Sequence, residues 1–275
     1  MTILGLIIVL STGALLIYAT VDFPAWADPA SPASLHLSPH FIERTMEETS
    51  VPNIVTAVLA DYRGYDTMYE TTVIFSAGVA CFILLRILLR EEPGESLYRH
   101  VLTGVTIRVK EGAKIPPSAD FERIDTLWAP HDLIIKTMCR LLIPFIQLFA
   151  LYVIAHGHHS PGGGFQGGVI LGASIILLAI SHDLRTSVQR MREKVDALLS
   201  ATGVFIYAGT GALCLLLGLN FLDYSALASV LHVDPVTARS HGILIVEIGV
   251  GIAVMATMIW IYSNVSSTGK YDEGL

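Results

Sequence analysis

The residues of this sequence best placed to do chemistry are ionisable side chains inside apolar runs. Each costs roughly 2.5–3.5 kcal/mol to insert at the centre of a membrane helix, so its presence calls for a reason. Glu247 is the sharpest case, inside the run His241 to Tyr262. It lies about 9 Å along that helix at 1.5 Å per residue, and Gly251, one turn later, leaves space beside it. A carboxylate next to such a space can hold Na⁺ with waters or carry a proton. It can equally pair with Lys136 or Arg140 of the run Leu133 to Ala155 as a buried fastener between helices. The residues alone leave both readings open. Lys136, Arg140 and Gln147 fall within roughly 40° of one another at helical spacing and so share a face. Lys136 is near the end of its run and can snorkel to the interface; Arg140 is deeper.

A second group of candidates is the segment His156 to Gly168, HGHHSPGGGFQGG. His156, His158 and His159 could serve a proton relay, but no carboxylate or cysteine accompanies them, and no metal site is predicted. Pro161, Gly162, Gly163, Gly164, Gly167 and Gly168 predict a shaped turn that exposes its own backbone groups or lets another backbone approach. Gly168 and Gly172, four residues apart, predict a close-packing helix face. GGGFQG fits G-x-G-x-x-G, yet the dinucleotide fingerprint needs a strand before it, and here an apolar helix precedes it.

The third group is acidic. Asp61, Asp66 and Glu70 lie in and after DYRGYDT, where several carboxylates at a narrow mouth would concentrate cations. The plainer reading is local pairing and capping, with Thr67-x-x-Glu70 as a capping box.

What positions these groups is a set of membrane helices. A chain of 275 residues that is 53% hydrophobic and 15% charged, with mean hydropathy +0.61, departs from soluble domains, where charge alone is about a quarter of residues. The reading is all-α and polytopic, with about six spans: Ile3 to Thr20, Met68 to Leu89, Leu133 to Ala155, Phe165 to Ser181, Ala197 to Phe221 and His241 to Tyr262. The first could instead be a signal peptide, with Ala25-Trp26-Ala27 as a cleavage site, but no basic residue precedes it, which favours retention. Loops after the second and fourth spans and the tail carry 11 Lys and Arg against 3 in the others, which places both termini in the cytoplasm of a multi-pass cell-membrane protein.

The polar stretch Arg90 to Asp132 reads as a cytoplasmic linker with a short strand over Val101 to Val109. It divides a two-helix module, residues 1–90, from a four-helix module, residues 133–265, and residues 266–275 form a tail. The net charge of -7 excludes nucleic acid as a partner. Cys81, Cys139 and Cys214 are far apart within apolar runs and read as small buried hydrophobes. No CxxC, HExxH or P-loop pattern occurs, so no enzyme site or bound cofactor is predicted.

Two long motifs carry a family resemblance. HGHHSPGGGFQGGVILGAS with HGILIVEIGVGIAV resembles the MnhB-like B subunits of the Mrp-type multisubunit Na⁺/H⁺ antiporters, over about Leu133 to Tyr262. NIVTAVLADYRGYDTMYETTV is similar to the carboxyl-terminal end of their large A subunits, which in membrane-bound hydrogenases occurs as a separate small subunit. The resemblance implies a non-catalytic membrane subunit of an antiporter or a hydrogenase-type respiratory complex, with other membrane subunits as partners and Na⁺ and H⁺ as transported ions. It places Asp61, Asp66 and Glu70 in the tail shared with the A subunits and Glu247 in the last helix shared with the B subunits. The competing expectation is a scaffold that joins larger antiporter-like subunits without touching ions.

Overall fold

The computed structural model describes residues 2–85, 96–109, 120–123, 133–182 and 184–267. Within them the chain forms α1 (Thr2–Ala19), α2 (Ser38–Thr49), α3 (Ile54–Ala57), α4 (Gly64–Ile83), α5 (Leu133–Ala155), α6 (Gly164–Ser181), α7 (Leu184–Arg190), α8 (Glu193–Leu216), α9 (Ala228–Leu231) and α10 (Pro235–Ser266). A five-residue π-turn, Val58–Tyr62, separates α3 from α4. Among the described residues, α1, α5, α6, α8 and α10 are long and apolar enough to cross a membrane. This is a multi-pass helical membrane protein.

The expected second span begins earlier than predicted. α4 starts at Gly64 after Arg63, and is not among the five most apolar helices; the far end of the expected span lies outside the described residues. Thr67 is therefore inside the first turn of α4 instead of capping it, and its hydroxyl donates to the Leu59 carbonyl at 2.7 Å. The capping-box reading is corrected accordingly. The last span also begins earlier. Asp234 caps α10 by accepting from the Thr237 N–H at 2.9 Å and its hydroxyl at 2.7 Å, and Pro235 occupies the first turn, where its missing N–H costs nothing.

The linker adds a small sheet, ordered β2-β1-β3, from β1 (Ser96–His100), β2 (Thr106–Val109) and β3 (Phe121–Arg123). Both pairings are antiparallel, with Tyr98 opposite Ile107 and Arg99 opposite Glu122. The predicted strand over Val101 to Val109 is instead a hairpin, because Gly104 at φ +70° turns the chain.

Residues Met1–Met46 and Glu47–Leu275 form two separate compact units. The first holds α1, which has no buried residue in its apolar window. The second is built around α10, which packs on α8, α6 and α4. α10 buries 67% of its apolar window and α5 only 11%, so α10 is the core helix and α5 turns most of its apolar surface away from this chain. Close approach comes from glycine. A Cβ on Gly168 would lie 2.7 Å from the Gly251 carbonyl oxygen, and one on Gly203 would collide with Gly249 and Ala253. Gly251 thus leaves no space beside Glu247: it is packed on Gly164 and Ile154. Gly218, at φ +91°, turns the chain, with nothing within 4 Å of where a Cβ would stand.

A carboxylate cavity at the glycine turn

The turn between α5 and α6 is held from outside itself. Asn53, at the N-cap of α3, donates from its amide to the carbonyls of Gly157 (2.8 Å) and Ser160 (2.9 Å). Its backbone N–H reaches the His158 carbonyl at 2.9 Å, and Thr56 adds a hydroxyl bond to Gly157 at 2.8 Å. Two buried tyrosines do the same for the π-turn before α4. Tyr207 donates to the Gly64 carbonyl and Tyr224 to the Ala60 carbonyl, each at 2.9 Å. A short helix broken by a π-turn leaves carbonyls without helical partners, and these side chains satisfy them.

Arg239 and Asp61 complete the joint, with Nε 2.8 Å from Oδ2 and side-chain exposures of 24% and 7%. Burial holds the Asp61 carboxyl above its usual range, outweighing the bond and charge of Arg239 that favour ionisation. Arg239 was not predicted as a site residue. It is the one basic residue of the loop ahead of the last span, which is the signal that could have found it.

Glu247 lies inside this joint, 8% exposed. Its carboxylate lies against Gly163 and Gly164 at the N-terminus of α6, where unpaired N–H groups favour negative charge. The glycines exist to admit it. A Cβ on Gly157 would stand 3.0 Å from Oε2, one on Gly163 2.6 Å from Oε1, and one on Gly164 would collide with the Glu247 carbonyl oxygen. No ion pair joins Glu247 to Lys136 or Arg140 among the described residues; both stand exposed on α5. The nearest ionisable partner is His158, with Nδ1 4.0 Å from Oε2.

The histidines separate. His156 is exposed and stacks on Tyr152 at 4.7 Å between centroids, His159 is exposed, and His158 is buried. His158 Nε2 is 3.0 Å from the Ser240 carbonyl. A carbonyl only accepts, so Nε2 carries the hydrogen and neutral His158 points a bare Nδ1 at Glu247. Burial lowers the His158 pKa, with the Ser240 bond opposing and His159 and His241 adding to the shift. Glu247 Oε2 is buried with no hydrogen-bond partner. Two lone-pair groups therefore face each other across 4.0 Å, an arrangement that a proton or a small cation would relieve.

A cavity of about 180 Å³ opens on this carboxylate, lined by Glu247, Glu70, Thr56, Thr67, Gln166 and Tyr207 with the backbone of Gly162 and Gly164. It has space for several waters, at about 30 Å³ each. Of the three predicted funnel carboxylates only Glu70, exposed on α4, lines it. Asp66 is in an exposed local pair, 2.6 Å from Arg63 Nε, and Asp61 is tied to Arg239.

Fold and site define a class: a polytopic helical membrane protein with a carboxylate-bearing cavity in its second compact unit. Sequence comparison adds two partial matches. Residues 134–260 match the domain related to the MnhB subunit of Na⁺/H⁺ antiporter, and residues 7–98 match the MbhE family of MBH subunits. The chain is 28% identical to the B subunit of the Na⁺/H⁺ antiporter of Bacillus subtilis over 134 residues, which are 46% of this chain and 93% of that protein. It is 29% identical to an uncharacterized protein of Methanocaldococcus jannaschii over 184 residues, 63% of this chain and 64% of that one.

Two solved structures share the fold. The membrane-bound sulfane sulfur reductase, an archaeal respiratory membrane complex, contains a chain aligned over 96% of this one and 97% of its own length, at TM-score 0.58 and 23% identity. The Mrp complex of Dietzia contains a longer chain, aligned over 98% of this protein but 25% of its own length, at TM-score 0.52 and 22% identity. Residues 134–260 thus match the MnhB-related domain and residues 7–98 the MbhE family, each over less than half of the chain.

Proposed function

We propose that this chain is a non-catalytic subunit of a multisubunit cation/proton antiporter module, with both termini cytoplasmic, and that the cavity between Glu247 and Glu70 is where it meets the ion. One observation carries the reading: Glu247 is buried without a cationic partner, at the end of a cavity whose other carboxylate comes from the opposite half of the chain. A carboxylate, hydroxyls and amide and backbone oxygens suit Na⁺, a hard cation that takes oxygen ligands, and Glu247 with His158 suits a proton. The MbhE-type segment and the likeness to a respiratory membrane complex support a place in an ion-translocating module driven by electron transfer, in which the redox chemistry belongs to other subunits.

The test is carbodiimide labelling of Glu247 in the membrane-embedded complex. Na⁺ is expected to slow the labelling, and rising pH to slow it further. Labelling at a rate independent of both ions would contradict the assignment. A scaffold role has its own support in α5, whose apolar window is 11% buried within this chain and so is available to neighbouring subunits. It predicts that Glu70→Gln and Glu247→Gln leave transport unchanged.

A further inference from the structure

The seam between α8 and α10 runs from the glycine-turn end of the protein to the opposite end. Gly203 meets Gly249 and Ala253, and Ser200 bonds Thr257 hydroxyl to hydroxyl. Because the two helices are antiparallel, one more turn brings Asp196 on α8 level with Trp260 on α10, and Asn264 lies one turn beyond. Asp196, Ser200, Thr257 and Asn264 have no exposed surface, and Trp260 is 5% exposed.

This end of the seam holds most of the unpaired polar atoms buried among the described residues: both Asp196 oxygens, Trp260 Nε1 and Asn264 Oδ1. The Asn264 amide is oriented by its own bond, Nδ2 donating to the Trp260 carbonyl at 2.9 Å, so Oδ1 is a true acceptor facing away. None of these atoms hydrogen-bonds another, so the indole N–H does not serve the Asp196 carboxyl. An ionised Asp196 would be a buried charge with neither a donor nor a cation to compensate it, and a proton removes that charge.

The surroundings agree. The charged groups of the neighbouring elements are Arg192 at the N-cap of α8 and Glu193 and Lys194 on it, Arg185 and Arg190 on α7, and His182 just after α6. Neither Asp196 oxygen has a hydrogen-bond partner among the described residues, and Glu193, three residues earlier, brings a second negative charge to the same turn. A first-turn aspartate ordinarily faces water and offsets the helix dipole; this one is sealed between two helices.

We propose that the enclosed Asp196 carboxyl, at the N-terminal end of α8 and away from the Glu247 cavity, is a second proton-binding site. About 20 Å of α10, the 13 residues from Glu247 to Trp260 at 1.5 Å each, separates the two, so Glu247 lies near the middle of α10 and the Asp196 carboxyl is level with its last turns.

The experiment uses the intact complex in membranes. Its infrared spectrum at neutral pH is expected to contain a buried carboxylic-acid C=O band that Asp196→Asn removes and Glu247→Gln does not, unaltered by adding or withdrawing Na⁺. No band lost in Asp196→Asn, or a band that appears only when Na⁺ is withdrawn, would overturn the proposal. Stability gives a second reading. Asparagine keeps one donor and one acceptor where the acid has them, so Asp196→Asn is expected to assemble like the wild type. A proton held by the fold stabilises it at low pH and is lost as pH rises. The wild-type complex should therefore lose stability on alkalinisation that the asparagine variant keeps; identical alkaline profiles would count against the site.

Discussion

Asp61 and Glu247 are both buried carboxylates at the joint between the two halves, and they are provisioned in opposite ways. Asp61 has a guanidinium at 2.8 Å. Glu247 has a helix N-terminus, a histidine at 4.0 Å and a cavity. A buried carboxylate with a permanent cation beside it is compensated in place, whereas one without is open to a proton or another cation. The residues alone leave both roles open for Glu247; the structure gives the guanidinium to Asp61, from the start of the helix that carries Glu247.

The largest expected effect breaks the geometry common to both. Gly164→Ala would drive a Cβ into the Glu247 carbonyl oxygen, and backbone cannot yield as a flexible side chain can. The variant is expected to lose the α6–α10 packing and with it assembly of the complex, read by size-exclusion chromatography.

The next separates the two acids. Arg239→Ala leaves Asp61 buried and unpaired, which costs about 3–5 kcal/mol where it has been measured, and thermal denaturation should show the loss. Arg239→Ala combined with Asp61→Asn should recover much of it, because the uncompensated charge is gone. No recovery would mean that the pair is not what fastens the joint.

A smaller loss is expected for Asn53→Ala, which removes the side-chain bonds to Gly157 and Ser160. Unsatisfied buried carbonyls cost about 1–3 kcal/mol. Proteolysis within residues 156–164 should quicken while α8 and α10 stay protected.

The smallest effect is in pH. A histidine whose folded pKa is lowered contributes stability that is fully present above its unfolded value, about 6.5, and is lost as pH falls below it. Hydrogen exchange at the glycine turn should therefore speed up on acidification, and His158→Gln, which keeps a donor for the Ser240 carbonyl, should flatten that dependence.

Much of this was legible in residue order. The apolar runs at α5 and α6 emerge where periodicity and length put them, Gly168 and Gly172 pack against α10 as their spacing implied, and the family resemblance reached both halves. What sequence could not supply was distance. That Gly157, Gly163 and Gly164 are small because of Glu247 depends on a fold that brings residues some 80–90 positions apart into contact, for which local pattern has no signal. Capping logic failed at Thr67 because Tyr207 and Tyr224 hold the preceding π-turn and let α4 start at Gly64. Asp196 passed unnoticed because a first-turn aspartate is ordinarily a surface residue, and only packing reveals that it is sealed.

The account rests on Glu247 serving the ion and Asp61 serving the joint. Transport by the reconstituted complex, measured beside its subunit content for Glu247→Gln, tests this most directly. Sodium-driven proton movement should disappear while the complex stays whole. A variant complex that transports normally, or that falls apart before transport can be measured, would contradict it.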